Sequence, residues 1–269
     1  MIPKIIHYCW LSNEPMPAEL KRCIKSWRKR MPDCQIKKWN RSNFDIDRIP
    51  YVAEAVRMRK WAFACDYIRV YALYTEGGIY LDSDVFLRRS LDFCLENEAF
   101  TAIECFPDLM EKVFSAGEVD GDGNRRKDVE YINGIQIQAA ILGAEKGHPF
   151  MKACMEYYHG KHFILPNGKL NDQVISPFIF ARIAEAYGFK YKDEEQMLSC
   201  GLKIYPSDLF ASNLDLVTSK AVAIHCCAGS WRWMPSGGVL YYVQYAKEII
   251  KNVLFYFHLH KKRIRKILK

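Results

Sequence analysis

No stretch of eighteen residues in the 269-residue chain is free of charge, whereas a helix crossing a bilayer needs about 20 apolar residues. The opening residues, MIPKIIHYCW, carry no basic segment followed by a long apolar run. Neither a signal peptide nor a transmembrane span is therefore expected. The ten cysteines, at 9, 23, 34, 65, 94, 105, 154, 200, 226 and 227, include no C-x-x-C pair and no Cys/His spacing that suits zinc. Such scatter is no disulfide framework. It fits reduced thiols packed as small hydrophobes, the usage of a cytosolic protein. A G-x-x-x-x-G-K-S/T phosphate loop is also missing, which argues against nucleotide binding through that device. Evenly spread positive charge is lacking too. Of the net charge of +8, six units come from residues 261–269, KKRIRKILK, leaving +2 for the first 260 residues. A nucleic-acid binder working through its whole surface is not expected from so neutral a body.

What is present is ample apolar material. Half the residues are hydrophobic, enough at this length for a single core with surface insertions. KIIHYCW (4–10) reads as a strand, Ala18–Arg30 as a helix with Leu20, Cys23, Ile24 and Trp27 on one face, and CQIKKWN (34–40) as a second strand. This alternation opens an α/β fold. Residues 51–76 meet no Gly or Pro until Gly77-Gly78, so one long, largely buried helix is expected, followed at once by a strand over 79–86. FTAIEC (100–105), YINGIQIQAAIL (131–142), GLKIY (201–205) and AVAIHCC (221–227) are further strand candidates, and helices are expected over 148–159 and 171–187. Residues 115–130 are polar and Gly-rich, a surface loop, and from Leu240 the pattern is helical to the end.

Two groups of charged residues interrupt this apolar pattern. In EGGIYLDSDVFL (76–87) Asp82 and Asp84 stand two apart, which on a strand puts both on one face. Like charges so placed repel unless a cation lies between or beside them, and open α/β sheets hold their ligands at the carboxyl ends of strands. In WAFACDYIRVYALYTEGG, Asp66 and Arg69 share a helical face within an apolar segment. They form either an internal ion pair or contacts to a polar ligand, because charges are costly to bury unmatched.

IPKIIHYCW, ACDYIRVYALYTEGGIYLDSDV and AIHCCAGSW, in this order and spacing, resemble the DXD-type sugar-nucleotide glycosyltransferases of family thirty-two. That family includes capsular polysaccharide transferases and yeast Golgi α-mannosyltransferases and is distantly similar to the glucosylating domains of clostridial toxins. The resemblance covers roughly residues 1–105 and 221–233; residues 106–220 match loosely. It implies a GT-A fold, a Rossmann-like mixed sheet flanked by helices, with Mn2+ or Mg2+ bridging the DXD to a nucleotide diphosphate. It also implies transfer with retention, from a nucleotide-sugar donor such as a UDP-sugar to a glycan or lipid-linked glycan acceptor in surface polysaccharide synthesis. Asp84 would bind the metal, Asp82 the ribose or the metal, and His225 would complete the coordination. Many relatives have a second histidine where this chain has Cys226. Trp10 would stack on the base, Asp66 and Arg69 would hold donor-sugar hydroxyls, Tyr80 would line the donor pocket, and Ser230 and Trp231 would close over the diphosphate. Asp108, Asp120, Asp122, Asn133 and Asp172 are unranked acceptor contacts.

The expected organisation is a catalytic domain over 1–238 and a basic amphipathic helical extension over 239–269, lying on an anionic membrane at the cytoplasmic inner face. Two other classes compete. A metal-dependent phosphotransferase or phosphatase would also use paired aspartates, and a sugar-binding protein that has lost turnover would retain the fold.

Overall fold

A computed structural model describes residues 1–227. The helical extension, the boundary after residue 238, and Ser230 and Trp231 lie outside the described residues.

The first part of the chain forms β1 (Ile5–Cys9), α1 (Ala18–Arg30), β2 (Gln35–Trp39), α2 (Pro50–Arg57), α3 (Trp61–Glu76), β3 (Gly78–Leu81), β4 (Val85–Leu87), β5 (Ala99–Cys105) and α4 (Pro107–Ser115). There follow β6 (Ile135–Ile137), β7 (Ile141–Ala144), α5 (Pro149–Glu156), α6 (Ser176–Ala184), β8 (Gln196–Met197), β9 (Leu202–Tyr205), β10 (Phe210–Ala211) and β11 (Ala223–His225). The central sheet runs β2-β1-β3-β7-β5-β9-β8, with β6 paired to β5. Strands β1, β2 and β3 are mutually parallel, as are β5 and β9, while β7 runs antiparallel between β3 and β5. A second sheet, β10-β11-β4, packs through β4 against α1. Apolar side chains fill both faces of the central sheet. Tyr80 and Leu142 join the core shared with α2, α3, α5 and α6, whereas Ile79, Leu81 and Ile141 face Ile24 and Trp27 of α1. The expected mixed sheet flanked by helices is observed, and all ten cysteines are free thiols.

Four local readings are corrected. The single helix expected over 51–76 is two, α2 and α3, because Arg59 adopts a left-handed φ of 55°. Lys60 N–H then bonds Ala55 O at 2.8 Å, a Schellman-type closure achieved without glycine. The strand expected over 79–86 is also broken. Val85 N–H donates to Asp82 O at 2.9 Å, so Asp82, Ser83 and Asp84 form a turn that carries the chain from one sheet to the other. Finally, YINGIQIQAAIL gives β6 and β7 with a break at Gln138, and the helix expected from 171 begins at Ser176, which precedes Pro177.

Strand β3 is held in place by a buried device at its entry. Gly77 and Gly78 have φ of 69° and 112°, and a Cβ on Gly78 would lie 2.6 Å from Ile5 O. His7, fully buried, accepts from Trp39 Nε1 at 3.1 Å on Nδ1 and lies 2.8 Å from Gly77 O through Nε2. The network assigns the proton to Nε2, which donates to that carbonyl. Burial lowers the His7 pKa, which suits this neutral tautomer.

Across the sheet, Gly143 of β7 pairs with Phe100 of β5, and the Phe100 ring covers it. A Cβ there would lie 2.1 Å from Phe100 Cε1. Gly143→Ala should therefore overpack this crossing and cost about 1–3 kcal/mol, read as a lowered midpoint in thermal and urea unfolding.

Candidate metal and donor site

The site lies at the carboxyl ends of β1 and β3, beside the crossing into the second sheet. Asp66 and Arg69 sit on α3, one turn apart, with side chains only 8% and 5% exposed. Arg69 Nη2 contacts Asp66 Oδ1 at 2.9 Å and Asp82 Oδ1 at 3.5 Å. Its Nη1 donates to Ala139 O, and the guanidinium lies 5.1 Å from the Tyr80 ring centre. The internal ion pair expected of Asp66 and Arg69 is observed, and Arg69 also reaches the turn that carries Asp82.

Electrostatics follow from this packing. Burial pushes the Asp66 carboxyl up to about 6; Arg69 and a hydrogen bond from Ser176 pull it back, and Asp82 adds to the rise. Burial likewise raises Asp82, opposed by Arg69 and then reinforced by Asp84. Although burial disfavours the Arg69 cation, Asp82 and Asp66 hold its pKa above the usual value.

Asp84 meets His225 through strand pairing. Antiparallel β11 and β4 align His225 with Val85, and Cys226 N–H bonds Asp84 O at 3.0 Å. His225 Nε2 then lies 3.5 Å from Asp84 Oδ1. One ligand atom each from Asp82, Asp84 and His225 falls within a cluster spanning 4.8 Å. Two carboxylate oxygens with an imidazole nitrogen fit a divalent ion, and the nitrogen suits Mn2+ better than Mg2+. The expectation that Asp82 and Asp84 share a strand face does not hold, but the turn brings them together all the same.

Tyr80 donates from its hydroxyl to Asp82 Oδ1 at 3.0 Å. Trp10 follows β1 directly, half-buried, with its Nε1 donating to Glu14 O at 3.0 Å. Among the unranked acceptor residues, Asp172 pairs with Lys60 at 3.3 Å beside the start of α3. Asp120 is committed to its own turn through Asp122 N–H and Asn124, and Asp108, Asp122 and Asn133 are exposed.

Sequence reasoning missed three residues here. Ser176, buried at the start of α6, donates to Asp66 Oδ1 at 2.8 Å. Glu104 of β5 is buried and accepts from Gln136 Nε2 at 2.8 Å. Burial raises its pKa, the Gln136 hydrogen bond lowers it, and the charges of His225, Arg69 and Asp82 also reach it. A signal existed for Glu104 and Gln136, polar residues inside apolar strands. Ser176 had none, because its partner lies 110 positions away.

This combination defines a class: a mixed α/β sheet presenting a carboxylate–imidazole cluster and a buried Asp–Arg pair at its carboxyl edge. Over residues 17–101 the chain matches the family described as "Glycosyltransferase sugar-binding region containing DXD motif". It is 27% identical over 163 residues, 56% of the chain, to inositol phosphoceramide mannosyltransferase 3 of Schizosaccharomyces pombe. It is 28% identical over 159 residues, 55% of the chain, to an uncharacterized glycosyltransferase, L373, of Acanthamoeba polyphaga mimivirus. The matches span 35% and 52% of these relatives' own lengths. Among solved structures, the PaToxG glycosyltransferase gives a TM-score of 0.43 at 14% identity, covering 69% of each chain. The galactosyltransferase LgtC gives 0.41 at 15% identity, covering 86% of this chain and 90% of its own.

The donor set predicts metal binding without any substrate. Mn2+ at about 100 times its dissociation constant should stabilise the fold by about 2.7 kcal/mol, read as a rise in the melting midpoint. Asp84→Asn or His225→Ala should weaken Mn2+ binding at least ~10-fold by calorimetric titration. An unchanged affinity in both variants would remove the site.

Proposed function

We propose that the protein is a metal-dependent, retaining glycosyltransferase that moves a sugar from a nucleotide-diphosphate sugar, a UDP-sugar, to a glycan acceptor in surface polysaccharide synthesis. One observation carries the reading: the Asp82–Asp84–His225 cluster adjoins, through Arg69, a second carboxylate–guanidinium pair. The first can hold a cation on a diphosphate. The second can bind hydroxyls of the sugar attached to it.

In this reading Asp84 and His225 hold the ion, with Asp82 on the ion or the ribose. The bound metal supplies Lewis-acid neutralisation of the departing diphosphate. Asp66 accepts hydrogen bonds from donor-sugar hydroxyls and Arg69 donates to them, each held in place by the other and by Ser176. Trp10, just past β1, offers its indole face to the base, and Tyr80 fixes Asp82 while lining the donor pocket. The family resemblance alone assigns Ser230 and Trp231, which lie outside the described residues, to the diphosphate. Retention follows the family resemblance, with same-face attack and the departing phosphate as base. The S. pombe relative is named for an inositol phosphoceramide substrate, and a lipid-borne acceptor for this chain agrees with it. The basic segment over 239–269 would keep the enzyme on the anionic inner leaflet, each charge adding on the order of 1 kcal/mol.

Incubated with a panel of nucleotide sugars and Mn2+, the protein should hydrolyse one donor without acceptor, and EDTA should abolish it. Asp84→Asn should reduce turnover at least ~100-fold. Asp66→Asn should weaken donor use while the melting midpoint stays within a few degrees, because Arg69 keeps Asp82 and the Ala139 carbonyl. Full activity of Asp84→Asn in EDTA would sink the proposal. The membrane reading is checked separately. The full chain should sediment with anionic vesicles at low salt and be released by high salt, and a chain ending at His260 should stay in solution.

A further inference from the structure

Beside the donor site the same rim of the sheet carries a second concavity. Arg41, Arg57 and Arg59 wall a cavity of about 380 Å3, together with Trp61, Val56 and Asp47. Its position follows from topology. Arg41 lies two residues beyond the carboxyl end of β2, which is parallel to β1 and β3. Helix α3 runs into β3 through Gly77, so its first residue, Trp61, lies at the carboxyl edge. Trp61 and Asp66 are five positions apart, about 7.5 Å along the helix axis.

Three guanidinium groups gathered around one cavity repel each other, and the one acid in its lining offsets only part of their charge. All three residues are exposed, and none forms an ion pair among the described residues. The neighbouring acids are already engaged. Asp172 pairs with Lys60, while Glu54 accepts from the backbone of Phe163 and Ile164 at 2.7 and 2.9 Å and contacts His162. Asp47 alone lines the cavity, so the wall carries a net charge of +2. Arg41 is stacked over Trp61, with its Cζ 5.6 Å from the ring centre, and Arg59 is displayed from the left-handed turn between α2 and α3.

We propose that this cavity is an acceptor subsite that takes a phosphate monoester, resting on the transferase reading above. A carboxylate carries one negative charge and fills one guanidinium fork. A phosphate monoester presents three non-bridging oxygens and up to two charges, matching the net charge of the wall and permitting more than one bidentate contact. Trp61 supplies an apolar face for the sugar or chain attached to it. An acceptor anchored here by its phosphate would direct its sugar end along α3 toward Asp66 and Arg69.

The test is titration of inorganic phosphate into the protein in EDTA, which removes any diphosphate-type binding through a metal. The wild-type protein should bind, and the double variant Arg57→Gln, Arg59→Gln should bind at least ~10-fold more weakly, with an unchanged melting midpoint showing that it is folded. Competition against phosphate separates the sources. Displacement by a hexose phosphate supports a glycan-borne phosphate, and displacement by vesicles containing phosphatidic acid, but not by phosphatidylcholine alone, supports a lipid headgroup. Absent binding to the wild-type protein, or equal binding to the folded double variant, overturns the subsite. Because the titration uses neither donor nor metal, failure of donor hydrolysis would remove the transferase reading and the acceptor role without altering this result.

Discussion

A guanidinium with 5% of its side chain exposed cannot remain ionised in a protein interior unless its charge is met where it lies. Arg69 is met by Asp66 from its own helix, by Asp82 from the turn after β3, and by the carbonyl of Ala139 just before β7. Ser176 at the start of α6 then occupies Asp66. Four separate segments must therefore arrive together before the charge is compensated. Removing one partner of such a buried pair typically costs about 3–5 kcal/mol when nothing replaces it. Around Arg69 the contacts to Asp82 and to the Ala139 carbonyl remain when Asp66 is changed, so the expected cost there is smaller.

The same network sets the balance of charge in the site. Arg69 is shared between Asp66 and Asp82, so neither carboxylate is fully neutralised by it, and Asp82 also faces Asp84 across a three-residue turn. Without a further cation the two aspartates raise one another's energy, and a divalent ion would turn that repulsion into coordination. The third ligand comes through backbone pairing, since the β4–β11 register sets His225 against Val85. Repulsion within the turn and strand pairing across the second sheet thus converge on one cluster.

Upstream, the placement of the turn depends on how β3 begins. His7 ties β1, β2 and the Gly77 carbonyl together through two ring nitrogens, and Gly78 lies too close to the backbone of Ile5 for any side chain. These contacts fix where β3 starts, and its four buried residues deliver Asp82 to the carboxyl edge. The break between α2 and α3 has a comparable effect on the rim. By turning at Arg59 rather than continuing as one helix, the chain starts α3 at Trp61 and leaves basic side chains facing the cavity beside it.

Much of this was legible in the residues themselves. Strand–helix alternation gave the fold class, an i,i+3 spacing put Asp66 and Arg69 on one helical face, and two aspartates after an apolar run marked a cation site, because these features depend on local periodicity and on charge. What the sequence could not show was conformation with no local signal. Arg59 takes a left-handed φ that glycine usually supplies, and Asp82 and Asp84 meet in a turn where alternation suggested a strand. Nor could it show which distant side chains meet. Ser176 reaches Asp66, His225 reaches Asp84, and Arg41 reaches Trp61 only because sheet order and helix packing bring those segments to one edge. Local residues determined the chemistry available to this protein; tertiary structure decided which groups share a site, because strand register and helix packing set the distances over which charge and hydrogen bonding act.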